Sequence, residues 1–288
     1  MAIAYIYASK RITPEERAIF DYARRWRIKV LPINAVRHYS EKKLSLIAKK
    51  CRTAILNSAE PMSLEMAKVL EYYGTKIIDP THSFYYSENK WMFYVKCRRH
   101  RLPTPRTILV PYNIVNAREE LKKFILKSGA VIVKRVDSDN GDCVEKAKNV
   151  KEAMKIIKKI RNRVHVPIIA QEYIRECHKV FRVLIVGDKI IQSIYKRSKG
   201  WKCTGNYFRD NAPTFKVTPS LKKMCLRAAR FLNLPWCGFD IMRKNGGWVF
   251  IEANSSPALN FITEDIPRLC QELFKFAVKT ERKRKAGK

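Results

Sequence analysis

Acidic residues are scarce in this chain. Its 288 residues include 26 Asp plus Glu against 59 Lys plus Arg, a formal net charge of +33. Such a balance excludes no fold, but it selects anionic partners: nucleic acid, an acidic polypeptide tail, an anionic membrane surface or a phosphorylated ligand. Glycine, at 10, and proline, at 13, are too few for a collagenous or linker-dominated protein. The eight cysteines (Cys51, Cys97, Cys143, Cys177, Cys203, Cys225, Cys237 and Cys270) form no CxxC pair. That removes support for a zinc ribbon or a thioredoxin-like site, and their density is below that of a disulfide scaffold. A mostly reduced, cytoplasmic protein is expected, with the even count leaving disulfides open. No apolar run approaches about 20 residues, so no transmembrane helix is expected. The opening MAIAYIYASKR reads as a first strand rather than a signal peptide. There is no Walker-type or dinucleotide fingerprint, no GxSxG elbow and no internal repeat. His38, His82, His100, His165 and His178 show no ligand spacing.

What is present is an alternation of strands and helices. AIAYIYA at 2–8 reads as a buried strand. Thr13-Pro14-Glu15-Glu16 predicts a helix start with threonine as cap, proline first and glutamate third. Ile19, Tyr22, Ala23 and Trp26 share one helical face. Apolar runs at 28–33, 51–57 and 75–80, a polar connection after the first of them and a helical stretch over 58–73 complete an α/β unit. Residues 87–99 carry Trp91, Phe93, Tyr94 and Val95 in an irregular helical pattern, and LPTPRT at 102–107 is extended. Helices are predicted over 117–127 and 150–162, strands over 130–136 and 166–174, and a turn over 137–142. FRVLIVGDKIIQSIYKR at 181–197 predicts a hairpin turning at Gly187-Asp188, followed by a polar loop to about Pro213. A helix over 221–232 and strands over 237–243 and 248–256, meeting at Asn245-Gly246-Gly247, come next. A last helix over about 265–280 would leave ERKRKAGK as a basic tail.

Two constellations carry chemistry. Glu252 and Asn254 alternate on one strand, and Asp240 lies on its hairpin neighbour, so three oxygen donors can project together. Such donors suit a hard divalent cation, although the spacing also fits surface or turn-capping residues. Lys134 sits in a strongly apolar strand, where a charged head needs water or an anion. With Arg182, Arg197 and Arg209 it offers charge for a triphosphate, while ordinary solvent contact is the plainer reading of any single arginine. Gly141 stands in the polar turn. Basic runs at 96–101, 196–199 and 282–285, with Tyr85, Tyr86, Trp91, Phe93, Tyr94 and Trp201 nearby, also fit single-stranded nucleic acid or a solvated face.

SENK followed by LPTPRT, then AVIVKRV, QEYI, FRVLIVGDKII, the Arg197–Arg209 segment and GFDIMR…FIEANSSPAL resemble, in order and spacing, the ATP-grasp ligases. The likeness is to the group containing ribosomal protein S6 glutamate ligase and the LysW-type amino-group-carrier ligases, and it reaches from residue 1 to about 267. It implies an α/β protein, α+β in its ATP-binding lobes, with the three-lobed ATP-grasp fold. The lobes would be an N-terminal domain over 1–85, a central lobe over 86–175 and a C-terminal catalytic lobe over 176–280, with a basic tail at 281–288. ATP would lie between the last two lobes. Lys90 and Lys134 would contact its phosphates, Lys134 also near the adenine, beside Gln171, Glu172, Tyr173 and Ile174. Gly141 would lie in the phosphate-covering loop. Arg182, Arg197 and Arg209 would serve phosphate or acyl-phosphate positions, and Asn206 the active-site loop. Asp240, Glu252 and Asn254 would hold two Mg2+ ions, with Mn2+ admissible.

The implied reaction is carboxylate–amine ligation through an acyl phosphate, adding an amino acid to an acidic protein or peptide. RNA as a partner and a homo-oligomer are both compatible with it. The chain departs from the family pattern in several places. Its phosphate loop is glycine-poor and carries Asp137, Asp139 and Asp142. Val180 replaces an acidic residue, Asp210-Asn211 a glycine pair, and Ala258 a glycine. An RNA-binding protein on a degenerate ATP-grasp scaffold is the alternative reading.

Overall fold

The structure, a computed structural model, describes residues 2–139, 141–175, 178–197, 200–202 and 212–286, with side chains as far as Arg282. Its first unit grows around β1 (Ala2–Tyr7), which is buried along its whole length. α1 (Pro14–Arg25) begins as predicted: Thr13 Oγ1 accepts from the Glu16 amide, and the Glu16 carboxylate accepts from the Thr13 amide. Ile19 and Ala23 face the core, but Trp26 does not join them. Trp26 is the C-cap and is exposed, and the chain leaves the helix through Arg27, at φ 52°.

β2 (Lys29–Asn34), α2 (Glu41–Lys50), β3 (Thr53–Leu56), α3 (Pro61–Tyr72) and β4 (Lys76–Ile78) complete a parallel sheet of order β2-β1-β3-β4. α2 occupies the predicted polar connection. Only Leu44 and Ala48 of that helix are buried, a stripe too thin to register among its lysines. α4 (Thr81–Glu88) and α5 (Lys90–Arg99) lead out of the unit. Asn89 caps α5, accepting from the amides of Trp91 and Met92.

The second unit is an antiparallel sheet of order β5-β8-β6-β7. It comprises β5 (Thr107–Leu109), α6 (Ile114–Ser128), β6 (Val131–Arg135), β7 (Val144–Ala147), α7 (Val150–Arg161) and β8 (Ile168–Glu172). Both helices pack on it around Leu121, Val133 and Ile157. β5 and β7 were not predicted, being edge strands of three and four residues.

β9 (Lys179–Val186), β10 (Lys189–Arg197), α8 (Pro219–Leu232), β11 (Trp236–Lys244) and β12 (Gly247–Ser255) make the third, with order β10-β9-β11-β12. The β11–β12 hairpin closes on Asn245 (φ 49°) and Gly246 (φ 73°), the left-handed pair a two-residue turn requires. α8 covers one face of this sheet through Leu221, Cys225 and Ala228. The other face receives α9 (Ile266–Ala286), whose Leu269, Leu273 and Phe274 share a core with Ile3, Ile19, Ile55 and Trp236. The first and third units are thus fused, whereas the second keeps a core of its own. α9 continues to Ala286, into the segment expected as a basic tail from 281, and its Thr280 and Glu281 are still buried. No helix among the described residues is long and apolar enough to cross a membrane.

Candidate active site

Three cations meet oxygen partners where α5, β6 and β8 face the β9–β11–β12 sheet. Lys134, on β6, is 5% exposed and donates to Gln171 Oε1 on β8 at 3.0 Å. Gln171 is held in turn, its Nε2 donating to Thr107 Oγ1 at 3.0 Å. Burial, and then repulsion from Lys90, lower the Lys134 ammonium to about 8, with Glu252 opposing them. Lys90, the first residue of α5, is fixed through its amide to Val136 O at 2.8 Å. Its ammonium donates to Ser138 O and pairs with Glu252 at 3.2 Å. Burial alone would depress Lys90, but Glu252, Glu88 and Asp139 outweigh it and raise the group. Burial would likewise raise Glu252, yet Lys90, Lys134 and Arg182 hold it down at about 2.

The third pair is a fork. Arg182 Nε and Nη2 donate to the two carboxylate oxygens of Asp240 at 2.6 and 2.7 Å. β9 and β11 set Arg182 opposite Asp240, and β12 sets Glu252 opposite Asp240. Arg182 is raised, the carboxylate of Asp240 outweighing burial. Asn254, one alternation beyond Glu252, donates through Nδ2 to Gly238 O at 3.4 Å. Glu252 Oε1 and Asn254 Oδ1 accept no hydrogen bond among the described residues.

The remaining predicted residues separate. Glu172 faces away from the cluster, pairing with Lys244 of the third unit at 2.7 Å and with Arg106 of its own unit at 3.6 Å. Burial opposes its ionisation, but these cations lower it below the usual carboxylate range. Tyr173 lies under Lys146, whose Nζ is 3.7 Å from the ring centroid. Ile174 packs with Val249. Gly141, at φ 77°, lines a cleft of about 210 Å³ with Lys159, Arg163 and Lys202. Asp137 and Asp142 turn to Arg135, at 2.8 and 3.3 Å. Two of the three loop carboxylates are therefore held off the cluster, and only Asp139 bears on Lys90 and Arg182.

Arg197 is exposed and, among the described residues, meets Tyr195, so the structure does not bring it to the cluster. Asn206 and Arg209 lie outside the described residues. Strand alternation presents Lys196 instead: it faces Phe261 at 4.8 Å, on which Arg182 also stacks at 5.0 Å. Burial, then Arg182, lower the Lys196 ammonium. Its signal was available, because Lys196 falls in phase with the fully buried Ile194. Glu88 was also missed. It accepts from Ser255 Oγ at 3.0 Å, and burial raises its carboxyl despite Ser255 and Lys90. Among the described residues no three His, Cys, Asp or Glu side chains gather as a metal cage. The donor set is two carboxylates and one amide. A groove of about 570 Å³ along Arg17, Asp21, Tyr22 and Pro267 lies elsewhere and holds no such convergence of charge.

The RimK-like ATP-grasp domain family matches residues 87–268. A probable alpha-L-glutamate ligase of Halorhodospira halophila is 32% identical over 165 residues, 55% of this chain and 52% of that protein. A ribosomal protein bS6–L-glutamate ligase of Shigella boydii serotype 4 is 33% identical over 153 residues, 52% of this chain and 51% of that one. The chain thus spans about half the length of the curated relatives it matches. Among solved structures, a RiPP-associated ATP-grasp ligase of Chryseobacterium gregarium, in complex with ADP and a leader and core peptide, superposes with a TM-score of 0.75 at 13% identity, over 97% of both chains. D-alanine–D-alanine ligase from Bacillus anthracis, complexed with ATP, gives 0.69 at 14% identity over 100% of both. These structural likenesses establish the fold.

Proposed function

Because the chain belongs to the RimK-like ATP-grasp family, we propose that it is an ATP-dependent carboxylate–amine ligase that adds an amino acid to an acidic protein or peptide. The observation that carries this is the convergence of Lys90, Lys134 and Arg182 on Glu252 and Asp240 in a mostly buried setting. In low dielectric such preorganised charge acts strongly on a transferring phosphoryl group. Residues 1–85 form the N-terminal domain in this reading, 86–175 the central lobe and 176–280 the catalytic lobe. The six described cysteines are free thiols, which suits a cytoplasmic setting.

The substrate carboxylate oxygen attacks the γ-phosphorus of ATP. The bond to the β-phosphate oxygen breaks, leaving an acyl phosphate and ADP. Lys134 and Lys90 neutralise phosphate oxygens, and Arg182, with Lys196 beside it, faces the charge on the acyl phosphate. The amine nitrogen then attacks the acyl carbon. The carbon–oxygen bond to phosphate breaks, a proton leaves the nitrogen, and an amide and inorganic phosphate result.

The residues present fit Mg2+ bound with the nucleotide. Glu252 is ionised at any physiological pH, and its Oε1 and Asn254 Oδ1, which accept no hydrogen bond among the described residues, lie on alternate residues of one strand beside Asp240. Those three residues would hold the ion, which when bound neutralises and aligns the phosphate oxygens; two ions, or Mn2+, would use the same donors. An acidic acceptor is favoured by the net charge of +33. The test is ADP release with Mg2+-ATP, glutamate and acidic peptides, with mass spectrometry of the products. A mass gain equal to the amino acid less water is expected, with a loss of at least about 100-fold in Glu252→Gln. Folded protein that forms no amide with any acceptor, or an undiminished Glu252→Gln, rejects the proposal.

A further inference from the structure

The strands of the first sheet have two ends. Their C-terminal ends meet the segment after β12, where Ser256 Oγ donates to Leu56 O and the Leu259 amide to Glu15. The other ends form a basic edge that the ligase reading leaves unused. Lys29 opens β2, Arg52 precedes β3 and Lys76 opens β4, a row about 15 Å long at ordinary strand spacing. All three helices of the unit also end there, α1 with Arg25-Trp26-Arg27, α2 with Lys49-Lys50 and α3 with Tyr72.

α9 delivers the C-terminal basic run to the same edge. It descends beside α1: Cys270 approaches Glu15 O, and Phe274 lies 6.0 Å from the Tyr22 ring. By Glu281 it has reached Cys51, whose thiol feels Glu281, Lys29 and Lys50 together. Lys279 and Arg282 are exposed there, and the sequence continues as Lys283-Arg284-Lys285. No acid interrupts residues 24–29, 49–52 or 72–76, and the single acid of 279–282, Glu281, is buried. None of Arg25, Arg27, Lys29, Lys49, Lys50, Lys76, Lys279 and Arg282 forms an ion pair among the described residues. Two aromatics stand out of this field: Trp26, 58% exposed, and Tyr72, 85% exposed.

We infer that this edge, remote from the nucleotide cluster, binds single-stranded nucleic acid. Cations at this density match a phosphate backbone, and exposed aromatic faces among them provide stacking platforms for bases. A carboxylate-rich tail would have no use for the rings, and an acceptor bound for the cluster would have to engage the opposite ends of these strands. The inference stands independently of the ligase reading.

The test is fluorescence anisotropy of the full chain with labelled 20-nucleotide single strands of RNA and DNA, titrated with salt. Arg27→Gln, Lys29→Gln and Lys50→Gln combined should weaken binding at least tenfold and reduce the salt slope by about 2, since each phosphate neutralised on a single strand adds roughly 0.7 to that slope. Trp26→Ala should weaken it about fivefold or more. Lys222→Gln, Lys223→Gln and Arg230→Gln on α8 remove the same charge from another exposed face and should change affinity less than twofold. ATP should not compete. Ultraviolet crosslinking of the unaltered protein should label peptides spanning 24–29 or 72–76. Equal losses from both triple variants, crosslinks confined to 90–101 or 181–197, or a 20-residue polyglutamate competing as well as RNA would each overturn the inference.

Discussion

Lys134 concentrates the conflict between stability and function in one side chain. Burial sets its ammonium at about 8, below the ordinary lysine value of 10.5. The folded state therefore disfavours the charged form. That cost is fully present below pH 8 and disappears as pH rises from 8 towards 10.5, where the unfolded chain loses its proton too. A shift of this size corresponds to about 3 kcal/mol. Lys134→Met should stabilise the nucleotide-free protein by about 1–3 kcal/mol at pH 7, the gain shrinking at pH 10, while ADP release falls at least about 100-fold; urea midpoints at the two pH values check it. Glu252 has the opposite sign. Held at about 2 by Lys90, Lys134 and Arg182, it stabilises the fold above its unfolded value near 4.5, and that contribution fades as pH falls towards 2. Glu252→Gln should flatten the acid limb of stability over that window in a denaturation series.

Among elements, the β9–β10 hairpin shows how far local chemistry dictates form. Gly187 was predicted at its turn, and the structure puts it at φ 60°, which glycine adopts without strain. A Cβ there would stand 2.7 Å from the Phe276 ring of α9, a contact no local pattern foretells. Gly187→Ala should cost about 1–3 kcal/mol, read from thermal melting, and shift the end of β9 against α9. On β10 the alternation is legible in the sequence, yet the arginine drew the assignment: Ile194 points inward, and Lys196, in phase with it, shares the Phe261 ring with Arg182. α2 escaped reading because two buried residues in ten do not make a visible stripe.

At the scale of the whole molecule, α9 is the member that joins the first unit to the third. Leu269, Cys270, Leu273, Phe274 and Ala277 are fully buried between them. Their transfer from water is worth about 1.5–3 kcal/mol for each large side chain, together comparable with the stability of a whole domain. Ending the chain at Asp265 should therefore yield protein that is insoluble or lacks a cooperative melt. Ending it at Arg282 should preserve the melt within a few degrees, because it keeps every residue described in that core. The second unit keeps its own core and, of the ties described, meets the third only through the Glu172–Lys244 pair and the small apolar contact of Ile174 with Val249. Motion between it and the fused pair is the expected soft mode.

The longer strands and helices and their order, the β11–β12 turn and the apolar setting of Lys134 followed from the sequence alone, because φ preference, capping and apolar period are local properties of the chain. The family resemblance likewise rested on short motifs whose order survives in one dimension. Which cation faces which carboxylate did not follow. The Arg182–Asp240 fork and the Lys90–Glu252 pair join residues 58 and 162 positions apart, and only sheet register sets them opposite each other. The same limit hid the basic edge. RRWRIK, KKCR and the C-terminal run read as separate charged stretches, and Trp26 as a core residue, until a parallel sheet put every strand start and helix end on one side and α9 was laid beside α1.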